Sequence, residues 1–322
     1  MNLTIGADGF SVDADALATG RTCVIGASGS GKSYAVGVIC EELAKASVPF
    51  AIVDTEGEYS GLKAKYDVIW VADDEKADER WGAFDPKQLA EQAPNTAPLI
   101  LDVSECMDPR GNIGAFLTSL YRTIDNKRTP YLVIVEEADK FIPQDGKALA
   151  ILDEIARRGR KRGLGLVVCT QRPSLVAKNV LSQCNNQLIG KLNIRNDLQA
   201  VAQFFPKREL PKQLTSLEPG RFYVSGTISP EPQLIQIRAR ETMPGGGAPK
   251  LKPRTIEALH LTVGLPDTSA VLVITLSDSA NLSKLVKHGT IALDRAEIQS
   301  IHIAPGNSVE LRSKGQSVII PA

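Results

Sequence analysis

The chain has 322 residues, 43% hydrophobic and 23% charged, an ordinary globular balance in a length that accommodates about two domains. No apolar run approaches the ~18–20 residues of a membrane span, and the N-terminus MNLTIGADGF lacks the basic-then-apolar layout of a signal peptide. A cytoplasmic protein without a membrane partner is therefore expected. The five cysteines are odd in number, and no two sit at metal-ligand spacing. The only histidines are His260, His288 and His302, so the first 259 residues cannot host a Ser-His-Asp, Cys-His or histidine-bearing zinc site. The net charge of zero hides an asymmetry. Residues 1–150 hold 14 Lys/Arg against 24 Asp/Glu, whereas residues 151–240 hold 15 against 6. Such a basic block either faces a polyanion or pairs with the acidic half within the fold or between subunits.

In chain order, apolar runs at 23–25, 50–54, 68–71, 98–103, 131–135 and 164–169 read as strands. Most are continuous rather than alternating, as in a parallel sheet covered on both faces. Helical apolar stripes lie at 32–46, 113–124 and 148–157, and this alternation predicts a wound, mainly parallel α/β sheet. Further strands are expected at 187–192, 221–224 and 233–238. The stretch MPGGGAPKLKP at 243–253 reads as a Gly/Pro linker. It separates residues 1–242 from 254–322, a small mixed or β-rich appendage with β-like runs at 270–276, 290–293 and 317–320.

Residues 26–33 read GASGSGKS and match G-x-x-x-x-G-K-[ST] in full, between an apolar strand and a helix. Gly26, Gly29 and Gly31 let the backbone turn tightly, so that the N–H groups of Gly26, Ala27, Ser28, Gly29, Ser30, Gly31, Lys32, Ser33 and Tyr34 can cradle phosphate. The helix that follows adds its positive end. Lys32 is expected on the β- and γ-phosphates of ATP, and Ser33 on Mg²⁺.

The run YLVIVEE at 131–137 is an apolar strand ending in two acids. Glu136 could hold the Mg²⁺ shell through water and Glu137 could polarise an attacking water; a solvated strand end is the plainer alternative. Two other apolar strands, 50–54 and 98–103, intervene in sequence between the phosphate loop and these acids, and an extra strand between the two motifs is expected in the sheet. LGLVVCTQR at 164–172 ends a further strand in Gln171, placed to sense a γ-phosphate or orient water, unless it only caps the strand. Just upstream, ARRGRKRG packs five basic residues into six positions, with only Asp153 and Glu154 near in sequence. A subunit-edge arginine with DNA contacts nearby, or a solvated basic face, would account for it.

Taken together these segments resemble the HerA–FtsK superfamily of P-loop ATPases, HerA-like proteins most, over about residues 10–240. The segments are GASGSGKS, FAIVDTEGEYSGL at 50–62, LVIVEEAD at 132–139, IARRGRKRGLGLVVCTQRPS at 155–174, and the stretches 183–192 and 196–197. The resemblance implies RecA-like cores in a ring, usually of six, with sites between subunits and duplex DNA through the centre. By position it implies Lys32 and Ser33 on MgATP, Glu136 as the metal-side acid, Glu137 as catalytic base and Gln171 as sensor. Arg157 and Arg160 match the family's arginines near the neighbouring site, either of which could be the finger. The resemblance also sets Arg21, one residue out of step, against an arginine before the phosphate-loop strand, and puts Asp54, Glu56 and Glu58 near the site. Asp139 stands where family members often carry His, Thr55 replaces Pro and Arg158 replaces Glu. HerA proteins carry a β-barrel that docks nucleases before the ATPase, whereas here 25 residues precede Gly26.

The expectation is an ATP hydrolase, a ring motor moving duplex DNA, in a homo-oligomer with an unknown protein partner. A viral genome-packaging or conjugation-type ATPase of the same superfamily, or an ATP-gated scaffold for a partner enzyme docked through residues 254–322, are the alternatives.

Overall fold

The computed structural model describes residues 1–205 and 213–245 and, beyond these, strands between residues 259 and 321. Contacts divide the chain into a unit at 1–248 and a second at 249–322. The first unit begins with a hairpin, β1 (Asn2–Thr4) and β2 (Ser11–Asp13), and a short helix α1 (Ala14–Ala18). There follow β3 (Arg21–Ile25), α2 (Lys32–Lys45), β4 (Phe50–Asp54), β5 (Ile69–Val71), α3 (Pro86–Gln92), β6 (Leu99–Asp102), α4 (Pro109–Lys127) and β7 (Tyr131–Val135). The unit continues with α5 (Ala150–Arg158), β8 (Leu164–Thr170), α6 (Lys178–Leu181), β9 (Asn186–Ile189), α7 (Arg195–Val201), β10 (Arg221–Gly226) and β11 (Ser229–Gln236).

These strands form one nine-stranded sheet in the order β11-β10-β9-β3-β8-β7-β4-β6-β5. The pairs from β9 to β5 are parallel, and β10 and β11 continue the β9 edge antiparallel. The intervening strand is present, but it is β8. It lies between the phosphate-loop strand β3 and the acidic strand β7, whereas β4 and β6 lie beyond β7. Chain order misled here because a crossover helix can return the chain to either side of a starting strand.

The continuous apolar runs have a direct explanation. Along β7, Val133 and Val135 enter one apolar cluster with Phe116, Leu120 and Ile124 of α4 and Ile155 of α5. Leu132 and Ile134 enter the other, with Val36, Ile39 and Leu43 of α2. Alternate side chains point to opposite faces, and both faces are covered, so every position of β7 is buried. Helix starts are set by local chemistry. Asp85 and Asp108 each precede a proline at the first helical position, and their carboxylates accept from Lys87 N and Gly111 N at 2.9 Å, capping α3 and α4.

Residues 243–245, the start of the Gly/Pro stretch, are docked. The Gly245 N–H donates to the Glu58 carbonyl at 3.0 Å. The rest of that stretch and His288 lie outside the described residues. The second unit contains β12 (Leu259–His260), β13 (Ala270–Leu276), β14 (Val286–Lys287), β15 (Thr290–Leu293), β16 (Ile298–Pro305), β17 (Ser308–Ser313) and β18 (Gln316–Pro321). They form a three-stranded sheet, β12-β15-β14, and a mixed four-stranded sheet, β16-β13-β17-β18, in which β13 and β17 run parallel. No described helix is long and apolar enough to cross a membrane.

Gly165, on central strand β8, has the Ala18 backbone carbonyl oxygen 2.2 Å from where a Cβ would stand. Because backbone cannot swing aside, Gly165→Ala should cost about 1–3 kcal/mol, read as a lower urea midpoint at unchanged slope. An unchanged midpoint would contradict this packing.

Candidate active site

The phosphate loop joins β3 to α2 at the carboxyl edge of the sheet, where open α/β sheets place their ligands. Gly31 caps α2 in the left-handed region, φ 89°, and a Cβ there would stand 2.9 Å from Gly220 N, so glycine alone fits. Gly26 and Ser30 are buried beneath the loop: Gly26 N donates to Thr170 O at 3.2 Å, and Ser30 O accepts from Gly220 N at 2.8 Å. Ala27, Ser28, Gly29, Gly31, Lys32, Ser33 and Tyr34 line a cavity of about 290 Å³ together with Glu58, Gln171, Arg240 and Pro244. A larger groove of about 690 Å³ along α3 and α4 holds none of the residues that the motifs single out.

Lys32, 4% exposed, is the chemical centre. Its ammonium pairs with Glu136 Oε2 and lies 3.1 Å from Glu137 Oε1. Burial alone would lower its pKa, but the nearby carboxylates, Glu136 above all, outweigh that cost and raise it. The other Glu136 oxygen accepts from the Tyr59 hydroxyl, whose pKa is pushed up by burial and by Glu136. Glu137 Oε1 also accepts from Gln171 Nε2 at 2.8 Å. Glu137 itself sits in the left-handed region, φ 42°, which costs a non-glycine residue on the order of 1–3 kcal/mol. The strand ends are cross-tied by Thr170 Oγ1, which donates to Asp139 Oδ1 at 3.0 Å and accepts from Arg172 N at 3.0 Å.

The loop after β4 carries Tyr59 to Glu136. Asp54, at the end of that strand, holds it by accepting from Tyr59 N at 3.0 Å and Glu56 N at 3.1 Å. Glu56 turns outward to Lys140 at 2.7 Å, while Glu58 borders the cavity. Burial, with Asp102 alongside, lifts the Asp54 carboxyl to about 7.

The structure therefore places Lys32, Ser33 and Gln171 on one cavity, with Glu136 and Glu137 paired to Lys32. It does not bring Arg157 or Arg160 there. Both precede β8, on the far side of a seven-residue strand from Gln171, roughly 20 Å away along the sheet. Local pairing goes further than the sequence suggested: Arg157 pairs with Asp153, Arg158 with Glu154 at 3.1 Å, and Arg162 with Asp125 at 3.1 Å. Asp125 comes from α4, out of reach of a sequence-local count. Arg160 and Lys161 are exposed and form no ion pair among the described residues. Arg21, at the start of β3, donates to the Ala156 and Arg157 carbonyls at 2.6 and 3.1 Å, closing the end of α5 rather than facing the phosphate loop.

Two site residues escaped the sequence reading. Tyr59 stands within the EGEYS segment, but only the folded loop shows it on Glu136. Arg240 gives no signal at all. It lies in a strap, residues 238–245, laid along Tyr34, Gly37 and Glu41 of α2. Arg240 N donates to Tyr34 Oη at 2.6 Å, and the buried Glu41 carboxylate accepts from Glu241 N and Thr242 N at 2.8 Å each.

Fold and site together define a P-loop NTPase core with an additional strand between phosphate loop and acids. A family model for the central domain of helicase HerA matches residues 6–109. The chain is 37% identical over 112 residues to the DNA double-strand break repair helicase HerA of Pyrococcus furiosus, covering 34% of this chain and 20% of that protein. The genome packaging NTPase B204 of Sulfolobus turreted icosahedral virus 2, solved with ATP-gammaS, superposes with TM-score 0.51 at 17% identity over 68% of this chain and 97% of the other. The bacterial conjugative coupling protein TrwB superposes with TM-score 0.56 at 13% identity over 76% and 90%. The structural likenesses show the fold, and the sequence matches are to HerA helicases over about a third of this chain. The chain spans about a quarter of the length of the curated relatives it matches.

Asp54 gives the site a pH signature. Its folded pKa, about 7, lies above the ordinary 3.8, so the folded chain keeps a proton that the unfolded chain releases between those values. Its contribution to stability is full below about pH 4 and lost as pH rises through 7, by up to about 4 kcal/mol. Urea unfolding of Asp54→Asn should show a flatter stability profile over that window; an unchanged slope would contradict the assignment.

Proposed function

We propose that this chain is an ATP-hydrolysing ring motor that translocates duplex DNA in the cytoplasm, with residues 1–242 as its ATPase domain. The observation that carries the reading is the pairing of Glu136 and Glu137 with Lys32, and of Glu137 with Gln171, where Lys32 and Gln171 line the cavity at the phosphate loop. In the present arrangement Lys32 is neutralised by carboxylates. Phosphate oxygens entering over the loop N–H groups and the α2 N-terminus offer it a competing anion. Lys32 then moves to the β- and γ-phosphates, and Glu137 is released to serve as a base.

Glu137, held by Gln171, accepts a proton from a water whose oxygen bonds to the γ-phosphorus. The bond from that phosphorus to the β-phosphate bridging oxygen breaks, ADP leaves, and the proton passes on to solvent. The donor set fits a hard cation: Ser33 and the buried Glu136 supply oxygen ligands beside the phosphates. Mg²⁺ held by Ser33, and by Glu136 through water, would offset charge on the phosphate oxygens.

Arg157 and Arg160, remote from their own loop, suit a role at the site of a neighbouring subunit, which is the reason to propose a homo-oligomeric ring, hexameric as in the superfamily. The exposed Arg160 and Lys161 and the net basic block 151–240 favour duplex DNA as cargo, through salt-sensitive backbone contacts. Residues 254–322, with the linker at 243–253, are proposed as a separate module for a protein partner.

Steady-state ATP hydrolysis with and without linear duplex DNA, at low and moderate salt, tests this reading. The expected result is stimulation by DNA of about tenfold or more that fades as salt rises, with Lys32→Ala at background. Hydrolysis indifferent to DNA at every salt would overturn the DNA cargo, and hydrolysis no faster than Lys32→Ala would overturn the ATPase itself.

A further inference from the structure

The cavity beside the phosphate loop has a second buried cation. The Arg240 side chain is 2% exposed and lines the same cavity as Lys32 and Ser33. A guanidinium has five donors and always carries its charge. Here Nε donates to Thr242 Oγ1 at 3.1 Å and one terminal nitrogen makes a long 3.5 Å contact with the Glu58 carbonyl. The carboxylate beside it, Glu41, stands 3.9 Å away and is already engaged by Arg238 at 2.9 Å and by the strap N–H groups. The Tyr59 ring lies 5.8 Å from the guanidinium carbon. Lys32, by contrast, has two carboxylates at hand. A buried cation with spare donors and a shared, distant counter-charge costs free energy unless another anion completes it.

The strap positions this group closely. Arg238 ties it to Glu41 and Glu42 at 2.9 and 2.7 Å, Tyr34 receives the Arg240 N–H, and Gly37 leaves the space that the guanidinium fills. A Cβ on Gly37 would stand 2.6–2.8 Å from the guanidinium atoms.

We infer that Arg240 is a further nucleotide-binding residue, donated by the strap in cis, whose guanidinium binds phosphate oxygens of the nucleoside triphosphate. The inference rests on the proposed nucleotide site and extends it to a residue outside every motif. It also ties occupancy of the site to the strap, since Arg240 cannot leave the cavity without pulling on the hydrogen bonds to Tyr34 and Glu41.

Equilibrium binding of the magnesium complex of a fluorescent, non-hydrolysable ATP analogue to the full chain is the test. It compares wild type with Lys32→Ala, Arg240→Ala and Gly37→Ala. Arg240→Ala is expected to bind at least about tenfold more weakly, as for loss of a charge-assisted contact. Gly37→Ala keeps the arginine but displaces its guanidinium, and alanine favours the helix. It should melt at or above the wild-type temperature and yet bind the analogue several-fold more weakly, a combination that a merely structural arginine would not give. If Arg240→Ala fails to fold, Gly37→Ala decides. Binding within twofold of wild type by folded Arg240→Ala, or by Gly37→Ala, while Lys32→Ala binds nothing, overturns the inference and leaves the site intact. Wild type failing to bind the analogue overturns the site itself.

Discussion

A single buried ammonium organises this molecule. Lys32 is almost completely removed from water, and only the carboxylates of Glu136 and Glu137 make that tolerable. For them to meet, the loop after β3 and the end of β7 must reach one edge of the sheet across the intervening β8. That strand brings Gln171 to Glu137, so the spacer between the two motifs supplies the third group. The loop after β4 comes from the other side and places the Tyr59 hydroxyl on Glu136. Three neighbouring strand ends thus converge on one cation, and the left-handed backbone of Glu137 is where that convergence is strained.

The arrangement also explains why the sheet is parallel and apolar throughout. Parallel strands put all their carboxyl ends on one edge, so loops from β3, β4, β7 and β8 can share a site. Their crossovers cover both faces, so strands such as β7 are buried at every position. The acidic first half and basic second half are not simply paired within the fold. Arg157, Arg158 and Arg162 find carboxylates nearby, while Arg160 and Lys161 remain exposed on the edge away from the phosphate loop. The fold separates the carboxylates gathered around Lys32 from an edge with exposed basic side chains.

Much of this was legible in the residues. GASGSGKS fixes loop, helix and cation because few other sequences satisfy that backbone, and YLVIVEE and LVVCTQR announce buried strands ending in polar groups. What was not legible is spatial order and remote pairing. Sequence order suggested β4 and β6 between the motifs, but only pairing in the sheet shows that β8 lies there. Asp125 on α4 is invisible as the partner of Arg162 until α4 packs, and Tyr59 needs the Asp54-held turn to reach Glu136. Arg240 follows an ordinary strand and has no motif; its position depends on Glu41, some two hundred residues earlier in the chain. Helix α3 and the β1–β2 hairpin, short and weakly patterned, also emerge only with the fold.

The central claim is that Glu137 is the base and Lys32 the phosphate cation of one hydrolytic site. It is tested most directly by Glu137→Gln, which keeps size and hydrogen bonding but removes the proton acceptor. The measurement is single-turnover cleavage of the γ-phosphate beside equilibrium binding of MgATP. The account predicts binding within a few-fold of wild type and cleavage slowed by about 10²–10⁴-fold, the usual contribution of a general base. Cleavage at the wild-type rate by Glu137→Gln with ATP bound would contradict it.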